Sequence, residues 1–244
     1  MRLGCVSYIN ALPFTLPLSQ AFPLTLASPN LLNNQLRDKQ LDVALSSSLQ
    51  KGYSHVEGYG IVGLGKVFSV NLYTSLSTCD LNGAHICLTQ QSYTAVGLLK
   101  VLCYHYWNVS PYFLPESSTD SCDGYLLIGD QALLHKEEPG FQVIDLATIW
   151  YEMTGLPFVF ALFLARKEIS ASTLEKLQEI LGQALTWSES HPEEIERAAQ
   201  LKCPLNLERV RAYYSVLGYR LGNQEIESLN LFRKLYTDVP TICS

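Results

Sequence analysis

The sequence has little charge and no cluster of basic residues. Charged residues make up 16% of its 244 positions, and 23 acidic against 17 basic residues give a net charge of −6. Proteins that bind nucleic acid gather Lys and Arg on one surface, because these side chains neutralise phosphates. The absence of such a cluster argues against a nucleic-acid partner.

Long apolar runs are also absent. The longest run, 156–165, has ten residues, whereas a helix needs about 20 to span a membrane. The triplet Leu3-Gly4-Cys5 superficially resembles a lipoprotein cleavage site, but no apolar segment precedes it. We therefore expect no signal peptide and no membrane span, and we predict a cytoplasmic protein.

The seven cysteines contain no C-x-x-C pair, and their number is odd. Both facts argue against a zinc site and against a disulfide framework. Most of the cysteines have apolar neighbours, as Cys87 and Cys103 do. We expect them to pack as small core residues of a protein in a reducing compartment.

The glycine-rich stretch 58–65 does not match a nucleotide-binding fingerprint, which needs a strand, then the glycines, then a helix. A strand predicted at 67–74 follows the glycines at once. Polar and apolar residues alternate in that strand, so we expect Ser69 and Asn71 to point to the same side.

Polar residues gather where predicted strands end. The first such place is Ser7 to Pro13, after the apolar run 3–6. Pro13 disfavours a helical conformation at Leu12, so a helix is expected to begin at or after the proline. Asn10 then lies at the carboxyl end of a strand, where open α/β sheets bind ligands. Alternatively, its amide satisfies backbone groups of its own turn.

Hydroxyl groups mark two further strand ends. Ser46 to Ser48 follow a predicted strand at 41–45, and the hydroxyl-rich stretch 89–94 precedes a predicted helix. Hydroxyls at such places either cap the next helix or bind an anion together with backbone N–H groups. For the three serines, capping is the simpler interpretation.

The predicted strands fall into two sets, which are 3–8, 24–27 and 41–45, and 86–88, 112–114 and 125–128. Because strands and helices alternate with short links, we predict a largely parallel α/β architecture. From Ser172 onward the pattern predicts helices alone. Two sets of strands suggest two lobes joined by crossings near 72–76 and 158–163, with a ligand in the cleft between them.

A resemblance to a known family is carried by several segments in order along nearly the whole chain. They are Ser7–Pro13, Leu41–Ser48, Ser69 with its strand, Leu88–Lys100, Leu126–Leu133 and Asp145–Arg166. In these the sequence resembles the chorismate dehydratase family of the futalosine route to menaquinone. The resemblance implies the type II periplasmic-binding-protein fold, an α/β fold with two lobes, a ligand cleft and a helical C-terminal tail. The lobes would comprise 1–73 plus 162–244 and 74–161.

The resemblance also implies a reaction. Family members remove water from chorismate to give 3-[(1-carboxyvinyl)oxy]benzoate, without a metal or redox cofactor. Asn10 and Ser69 match the family's active-site asparagine and serine, and we expect them to hold the leaving hydroxyl and the enolpyruvyl carboxylate. Further residues expected to contact the substrate are Ser7, Tyr8, Ser46, Ser47, Ser92, Tyr93, Thr94, Gly129 and Asp130. For the last two, a purely structural role is an equal alternative.

No conventional base is visible, because none of the five histidines falls in a matched segment. We therefore expect the enolpyruvyl carboxylate of the substrate to remove the proton itself. Two departures from the family pattern, Lys66 and Ala95, leave open a shifted substrate preference or a decayed enzyme. A non-catalytic binding protein or sensor for a small carboxylate remains the alternative function. Monomer and homodimer are both open.

Overall fold

The computed structural model describes residues 1–117, 122–136 and 138–240. Its strands, in chain order, are β1 (Leu3–Val6), β2 (Leu24–Ala27), β3 (Val43–Ser47), β4 (Ser54–Gly63), β5 (Val70–Thr74), β6 (His85–Leu88), β7 (Tyr112–Pro115), β8 (Gly124–Ile128), β9 (Gln142–Asp145), β10 (Phe158–Ala165) and β11 (Leu217–Arg220). The first sheet has the spatial order β11-β4-β10-β3-β1-β2, and the second has the order β7-β6-β8-β5-β9.

Helices pack against both sheets. They are α1 (Leu12–Ala21), α2 (Pro29–Arg37), α3 (Tyr93–Leu102), α4 (Gly129–Leu134), α5 (Leu146–Thr154), α6 (Ala171–Ser190), α7 (Pro192–Lys202), α8 (Leu207–Ser215) and α9 (Asn223–Asp238). A short 3-10 turn at Ile9–Ala11 leads from β1 into α1. Within the described ranges, no helix combines the length and the apolar character that crossing a membrane would require.

Both sheets are mixed, which differs from the largely parallel arrangement that the sequence predicts. In the first sheet, β1 pairs in parallel with β2 and β3, but β10 runs antiparallel to β3 and β4. In the second sheet, β6 pairs in parallel with β7 and β8, but β5 runs antiparallel to β8 and β9. Strands β5 and β10 are the first that the chain forms after it passes from one sheet to the other. The βαβ crossover that makes neighbouring strands parallel is therefore missing for them.

The chain passes between the sheets twice, first between Gly63 and Val70 and then between Asp145 and Phe158. The predicted crossings near 72–76 and 158–163 instead overlap β5, which belongs to the second sheet, and β10, which belongs to the first. Both strands are buried along almost their whole length, and such strands have the same apolar pattern in either sheet. The pattern therefore predicted the strands but not their sheets. The lobe boundaries themselves remain a prediction.

The sequence predicts helices alone from Ser172 onward, and this prediction is wrong at one place. A strand, β11, lies between α8 and α9. This strand pairs with β4 at the edge of the first sheet, where Leu217 stands opposite Gly63. With four residues, it is too short to show a clear alternation. The helices around it join the core of the second sheet, since Val210 and Tyr213 share a buried cluster with Leu72. The tail therefore contacts both sheets and places α8 beside the cleft.

The expectation of unpaired core cysteines is wrong for one pair. Cys87 in β6 and Cys122, just before β8, form a disulfide with Cα atoms 6.1 Å apart. The two residues are 35 positions apart in sequence, and they meet because β6 and β8 are neighbouring strands. Spacing alone could not predict this pairing. Cys5 and Cys203 are buried thiols, as predicted.

Strand β4 runs through the glycine-rich stretch. A Cβ atom at Gly60 would lie 2.5 Å from the carbonyl oxygen of Ala161 in β10. Glycine there allows the two strands to pair closely. The next regular element after β4 is β5, not a helix, which agrees with the exclusion of a nucleotide-binding fingerprint.

Candidate active site

One cavity is lined by residues of both sheets and of the segments that join them. The residues around it are Val6, Tyr8, Asn10, Pro29, Ser47, Ile61, Val67, Ser69, Val70, Ser92, Ala95, Ile128, Gly129, Phe160, Ala161 and Leu217. Ends of strands and starts of helices supply most of its polar groups. This is the arrangement expected of a ligand cleft between two α/β lobes.

Asn10 lies on the short turn between β1 and α1. The turn is fixed from two sides, because the Ile9 N–H donates to Asp130 Oδ1 at 2.9 Å and the Ile9 carbonyl accepts from the Tyr214 hydroxyl at 2.7 Å. Helix α1 begins at Leu12, one residue earlier than expected, because the turn leads directly into it. The side-chain oxygen of Asn10 is buried and accepts no hydrogen bond from the described residues. It is therefore available to a donor on a ligand.

Ser69 lines the same cavity, immediately before β5. Asn71 lines a different and more open pocket, so the expectation that the two side chains share one side is wrong. The strand begins only at Val70, and Phe68 has a left-handed φ of +61°. The backbone turn at Phe68, rather than strand alternation, directs the Ser69 hydroxyl.

Asp145 holds this turn in place. Its Oδ2 accepts the backbone N–H groups of Val67 and Phe68 at 2.9 and 2.6 Å. Its Oδ1 caps α5 by accepting the N–H groups of Ala147 and Thr148, both at 3.1 Å. Burial raises the pKa of this carboxyl, and the four hydrogen bonds oppose that shift. An Asp between a strand and a helix is a typical helix cap, and this is the sequence signal that points to Asp145.

Tyr213 is a further residue of the site, and the sequence carries no local signal for it. It lies in α8 with 1% of its surface exposed, and its hydroxyl donates to Ser69 Oγ at 3.0 Å. The two residues are 144 positions apart, and no local pattern links them.

We call Asn10 and Ser69 the junction group, because they lie where the chain leaves β1 and where it enters the second sheet.

A second set of polar residues, Ser47 and Ser92, lies at the end of β3 and at the N-cap of α3, and we call it the helix group. The hydroxyls of Ser47 and Thr94 are 2.7 Å apart, and Thr94 Oγ1 also accepts the Ser48 N–H at 3.1 Å. Ser92 Oγ accepts the Ala95 N–H at 3.3 Å and so caps α3. The first turn of α3 therefore faces the cavity, and the start of a helix favours an anion.

Of the eleven site residues that the sequence predicts, six line the cavity: Tyr8, Asn10, Ser47, Ser69, Ser92 and Gly129. The other five, which do not line it, are Ser7, Ser46, Tyr93, Thr94 and Asp130. Ser46 is fully buried and hydrogen-bonds Pro29 and Asn33. Tyr93 is 53% exposed. Thr94 and Asp130 contact the site indirectly, through Ser47 and through the turn that carries Asn10.

Contacts between the lobes close the site. The Tyr8 hydroxyl donates to Gln91 Oε1 at 2.6 Å, and the Tyr93 N–H donates to Asn30 Oδ1 at 3.2 Å. The Tyr8 ring lies against Gly129, where an added Cβ would come within 2.8 Å of the ring and where φ is +58°. Both the contact and the backbone conformation favour glycine at this position.

No charged side chain lines the cavity in the part of the chain that the structure describes. The Asp130 carboxylate is turned to the backbone of Ile9, and burial raises its pKa. Burial also raises the pKa of Tyr8, which therefore remains a neutral donor at ordinary pH. The cavity can bind an anion through neutral donors and the start of α3, but the described part of its lining offers no imidazole or carboxylate as a base.

The two departures from the family pattern lie in different places. The Lys66 ammonium is 4.9 Å from the centre of the Phe68 ring and lines the neighbouring open pocket rather than the cavity. Ala95 does line the cavity. Any effect of a departure on ligand preference is therefore expected at Ala95.

Two mixed sheets, two crossings and a cleft between them define the class of this protein as periplasmic-binding-protein-like. A structure of a protein from Archaeoglobus fulgidus superimposes with a TM-score of 0.76 at 17% identity, covering 97% of this chain and 96% of that one. The periplasmic aliphatic sulphonate binding protein of Escherichia coli superimposes with a TM-score of 0.63 at 11% identity, covering 98% and 86%. The predicted fold class is confirmed.

The family follows from sequence comparison. A family model described as menaquinone biosynthesis matches residues 1–238. A chorismate dehydratase of Thermus thermophilus is 32% identical over 191 residues, which are 68% of this chain and 70% of that protein. One of Campylobacter jejuni is 31% identical over 176 residues, or 67% and 66%. The chain belongs to this menaquinone-biosynthesis family and is an enzyme of the chorismate dehydratase type, as its resemblance predicts.

Proposed function

We propose that the protein removes water from chorismate to give 3-[(1-carboxyvinyl)oxy]benzoate, as the first step of the futalosine route to menaquinone. The observation that carries the proposal is the junction group, since Asn10 and Ser69, the two residues matched to the family's active site, line one cavity. Relatives named chorismate dehydratase support the same substrate. A cytoplasmic location and the oligomeric state remain predictions.

The helix group is proposed to bind a carboxylate of the substrate. Chorismate carries two carboxylates, and none of the described residues that line the cavity is a cation able to pair with either of them. Ser47, Ser92 and the first turn of α3 are neutral donors, which can hold a carboxylate without also stabilising it so strongly that it loses its basicity.

The base is proposed to be the substrate itself. The enolpyruvyl carboxylate removes the proton from ring carbon 3, the electron pair of that C–H bond forms the new ring double bond, and hydroxide leaves from carbon 4. The removed proton and the departing hydroxide together make the released water. Because the ring becomes aromatic, the protein has mainly to orient the substrate and stabilise the developing charge.

The junction group is proposed to hold the leaving hydroxyl and the enolpyruvyl carboxylate in this step. The unpartnered oxygen of Asn10 supports the assignment, because a buried acceptor without a donor is satisfied only when a ligand supplies one. The proposal would be overturned by a bound structure in which a protein carboxylate or imidazole lies within hydrogen-bond reach of the carbon-3 proton.

The deciding experiment is incubation of the purified protein with chorismate, followed by mass spectrometry of the small molecules. Loss of one water, with an aromatic product that keeps its enol ether, is the expected result. Chorismate that binds but stays unchanged would favour the sensor, and no binding at all would mean that the family likeness does not extend to the ligand.

A further inference from the structure

Tyr213 contacts the junction group through Ser69. Its hydroxyl donates to Ser69 Oγ at 3.0 Å. Burial raises the pKa of Tyr213, so the hydroxyl keeps its hydrogen at neutral pH. Tyr213 does not itself line the cavity, and any effect on a ligand must pass through Ser69.

Helix α8 holds Tyr213 in a fixed place at the meeting point of the two sheets. The preceding turn carries Arg209, which donates to the carbonyl of Leu133 in α4 at 3.0 Å. The next residue, Tyr214, donates to the carbonyl of Ile9 beside β1 at 2.7 Å. Because one anchor lies on each side of the cleft, the Tyr213 hydroxyl has little freedom to move relative to the junction group.

The direction of this hydrogen bond decides what the junction group can offer a ligand. A hydroxyl carries one hydrogen, and that of Tyr213 is given to Ser69. The Ser69 oxygen is thus an acceptor in this bond, and its own hydrogen is free to point elsewhere. The carbonyl oxygen of Asn10 is buried and has no partner among the described residues.

One free donor and one free acceptor therefore remain, the Ser69 O–H and Asn10 Oδ1. A hydroxyl group is the complement of such a pair, because it accepts one hydrogen bond and donates another. We propose that Tyr213 is a positioning residue that sets Ser69 as a donor to the leaving hydroxyl of the substrate, while Asn10 Oδ1 accepts from the same hydroxyl. The inference rests on the proposed function and assigns this residue within it.

The hydrogen bond that Ser69 donates to the leaving oxygen is the one expected to affect the rate. As the bond between carbon 4 and oxygen breaks, negative charge grows on the oxygen, and a hydrogen bond from Ser69 strengthens in the transition state. Without the Tyr213 hydroxyl, the Ser69 hydrogen can turn toward other acceptors. We expect Tyr213→Phe to lower kcat about tenfold, the scale of one net hydrogen bond, and to change KM by less than about twofold.

The test compares the wild type with Tyr213→Phe, Ser69→Ala and the double variant. Product is followed by mass spectrometry in single turnovers with enzyme in excess, so that slow variants stay measurable. In the Ser69→Ala background, Tyr213→Phe is expected to change the rate less than about twofold, because no serine hydroxyl is left to orient. Tyr73→Phe is the matched control, since Tyr73 is also buried and donates to a carbonyl, that of Ala132, at 3.2 Å.

The control is expected to lose as much thermal stability as Tyr213→Phe and to keep the wild-type kcat. The inference is overturned if Tyr213→Phe keeps the wild-type kcat or if it raises KM instead. It is also overturned if the rate of the double variant falls by the product of the two single losses in rate. In each of these cases an active wild type leaves the proposed function standing. A wild type that leaves chorismate unchanged overturns the function and this inference together.

Discussion

The junction group and the helix group line the same cavity but are built from different parts of the chain. In the helix group, Ser92 caps the helix that follows it directly, and Thr94, which supports Ser47, lies in the first turn of that helix. In the junction group, the supporting residues Tyr213 and Asp145 come from distant elements, a tail helix and the last strand of the second sheet. One group is a property of a local motif, and the other exists only in the assembled fold.

The two groups also differ in how well they are satisfied without a ligand. Ser47 and Ser92 both have hydrogen-bond partners within the protein, whereas the Asn10 oxygen has none in the part of the chain that the structure describes. When a satisfied group binds a ligand, it exchanges one hydrogen-bond partner for another. Such an exchange adds little stabilisation of the transition state. An unsatisfied group placed by the fold is pre-organised for one interaction. We therefore expect changes in the helix group to affect KM and changes in the junction group to affect kcat.

Asn10→Ala should have the largest effect. Removing the amide deletes the free acceptor, and we expect kcat to fall by about 10²–10³-fold, as when a single charge-stabilising group is lost. KM should change far less. The free energy of unfolding, measured with urea, should stay within about 1 kcal/mol of the wild type, because the lost oxygen has no partner among the described residues.

Retained turnover in Asn10→Ala would contradict the difference that we expect between the junction group and the helix group. It would mean that the junction group is a structural turn after all, which is the alternative that the sequence leaves open.

Asp145→Asn should be next in size. The amide can replace only one of the two accepting oxygens, so either the turn at Val67 and Phe68 or the cap of α5 loses its partner. We expect a loss of about 3 kcal/mol in the free energy of unfolding, since hydrogen bonds to a buried charge are the strong ones. The kcat should fall as well, because the left-handed Phe68 directs Ser69.

Asp123→Asn is the control for Asp145→Asn. Its carboxylate accepts the backbone N–H of His85 at 2.8 Å, but the side chain is 44% exposed. Chemical denaturation should show a loss below about 1 kcal/mol there, and activity should be unchanged. Equal losses in the two variants would mean that the turn before Ser69 does not depend on the buried carboxylate.

Ser47→Ala should act on binding. The variant loses one neutral donor at the carboxylate site while Thr94 keeps its bond to the Ser48 N–H. We expect KM to rise about tenfold, the value of one hydrogen bond to a charged group, with kcat within about twofold. The control is Ser228→Ala. Ser228 lies in α9, and its hydroxyl accepts from the Trp150 indole N–H at 3.0 Å. The measurement is steady-state kinetics. If Ser47→Ala lowers kcat instead of raising KM, the helix group and the junction group do not differ in the way proposed.

Much of the site could be predicted from the sequence because its ligand-facing residues stand at strand ends and helix starts. Asn10 before α1 and Ser92 before α3 follow short apolar strands and precede proline or hydroxyl residues, and those patterns are local. The fold class was predictable for the same reason, since alternating strands and helices are visible as alternating periods.

What the sequence did not predict depends on contacts between distant residues. The sheet to which β5 and β10 belong, the pairing of Cys87 with Cys122, and the contact of Tyr213 with Ser69 all follow from tertiary packing. The direction of the Ser69 side chain depends on one left-handed residue, Phe68, which no rule of strand alternation anticipates. Such features need the assembled structure.

Gly129→Ala should give the smallest effect on activity and is the most selective test of how the lobes close over the cavity. Two costs are expected, strain at a φ of +58° and displacement of the Tyr8 ring, which an added Cβ would approach to 2.8 Å. Gly155→Ala separates them, because Gly155 has a φ of +70° and nothing within 4 Å of its added Cβ. Both variants should lose about 1 kcal/mol from strain, and Gly129→Ala about 1 kcal/mol more from crowding. Only Gly129→Ala should raise KM, since Tyr8 bonds Gln91 across the cleft; equal stabilities and equal KM values would show that this contact contributes nothing to substrate binding.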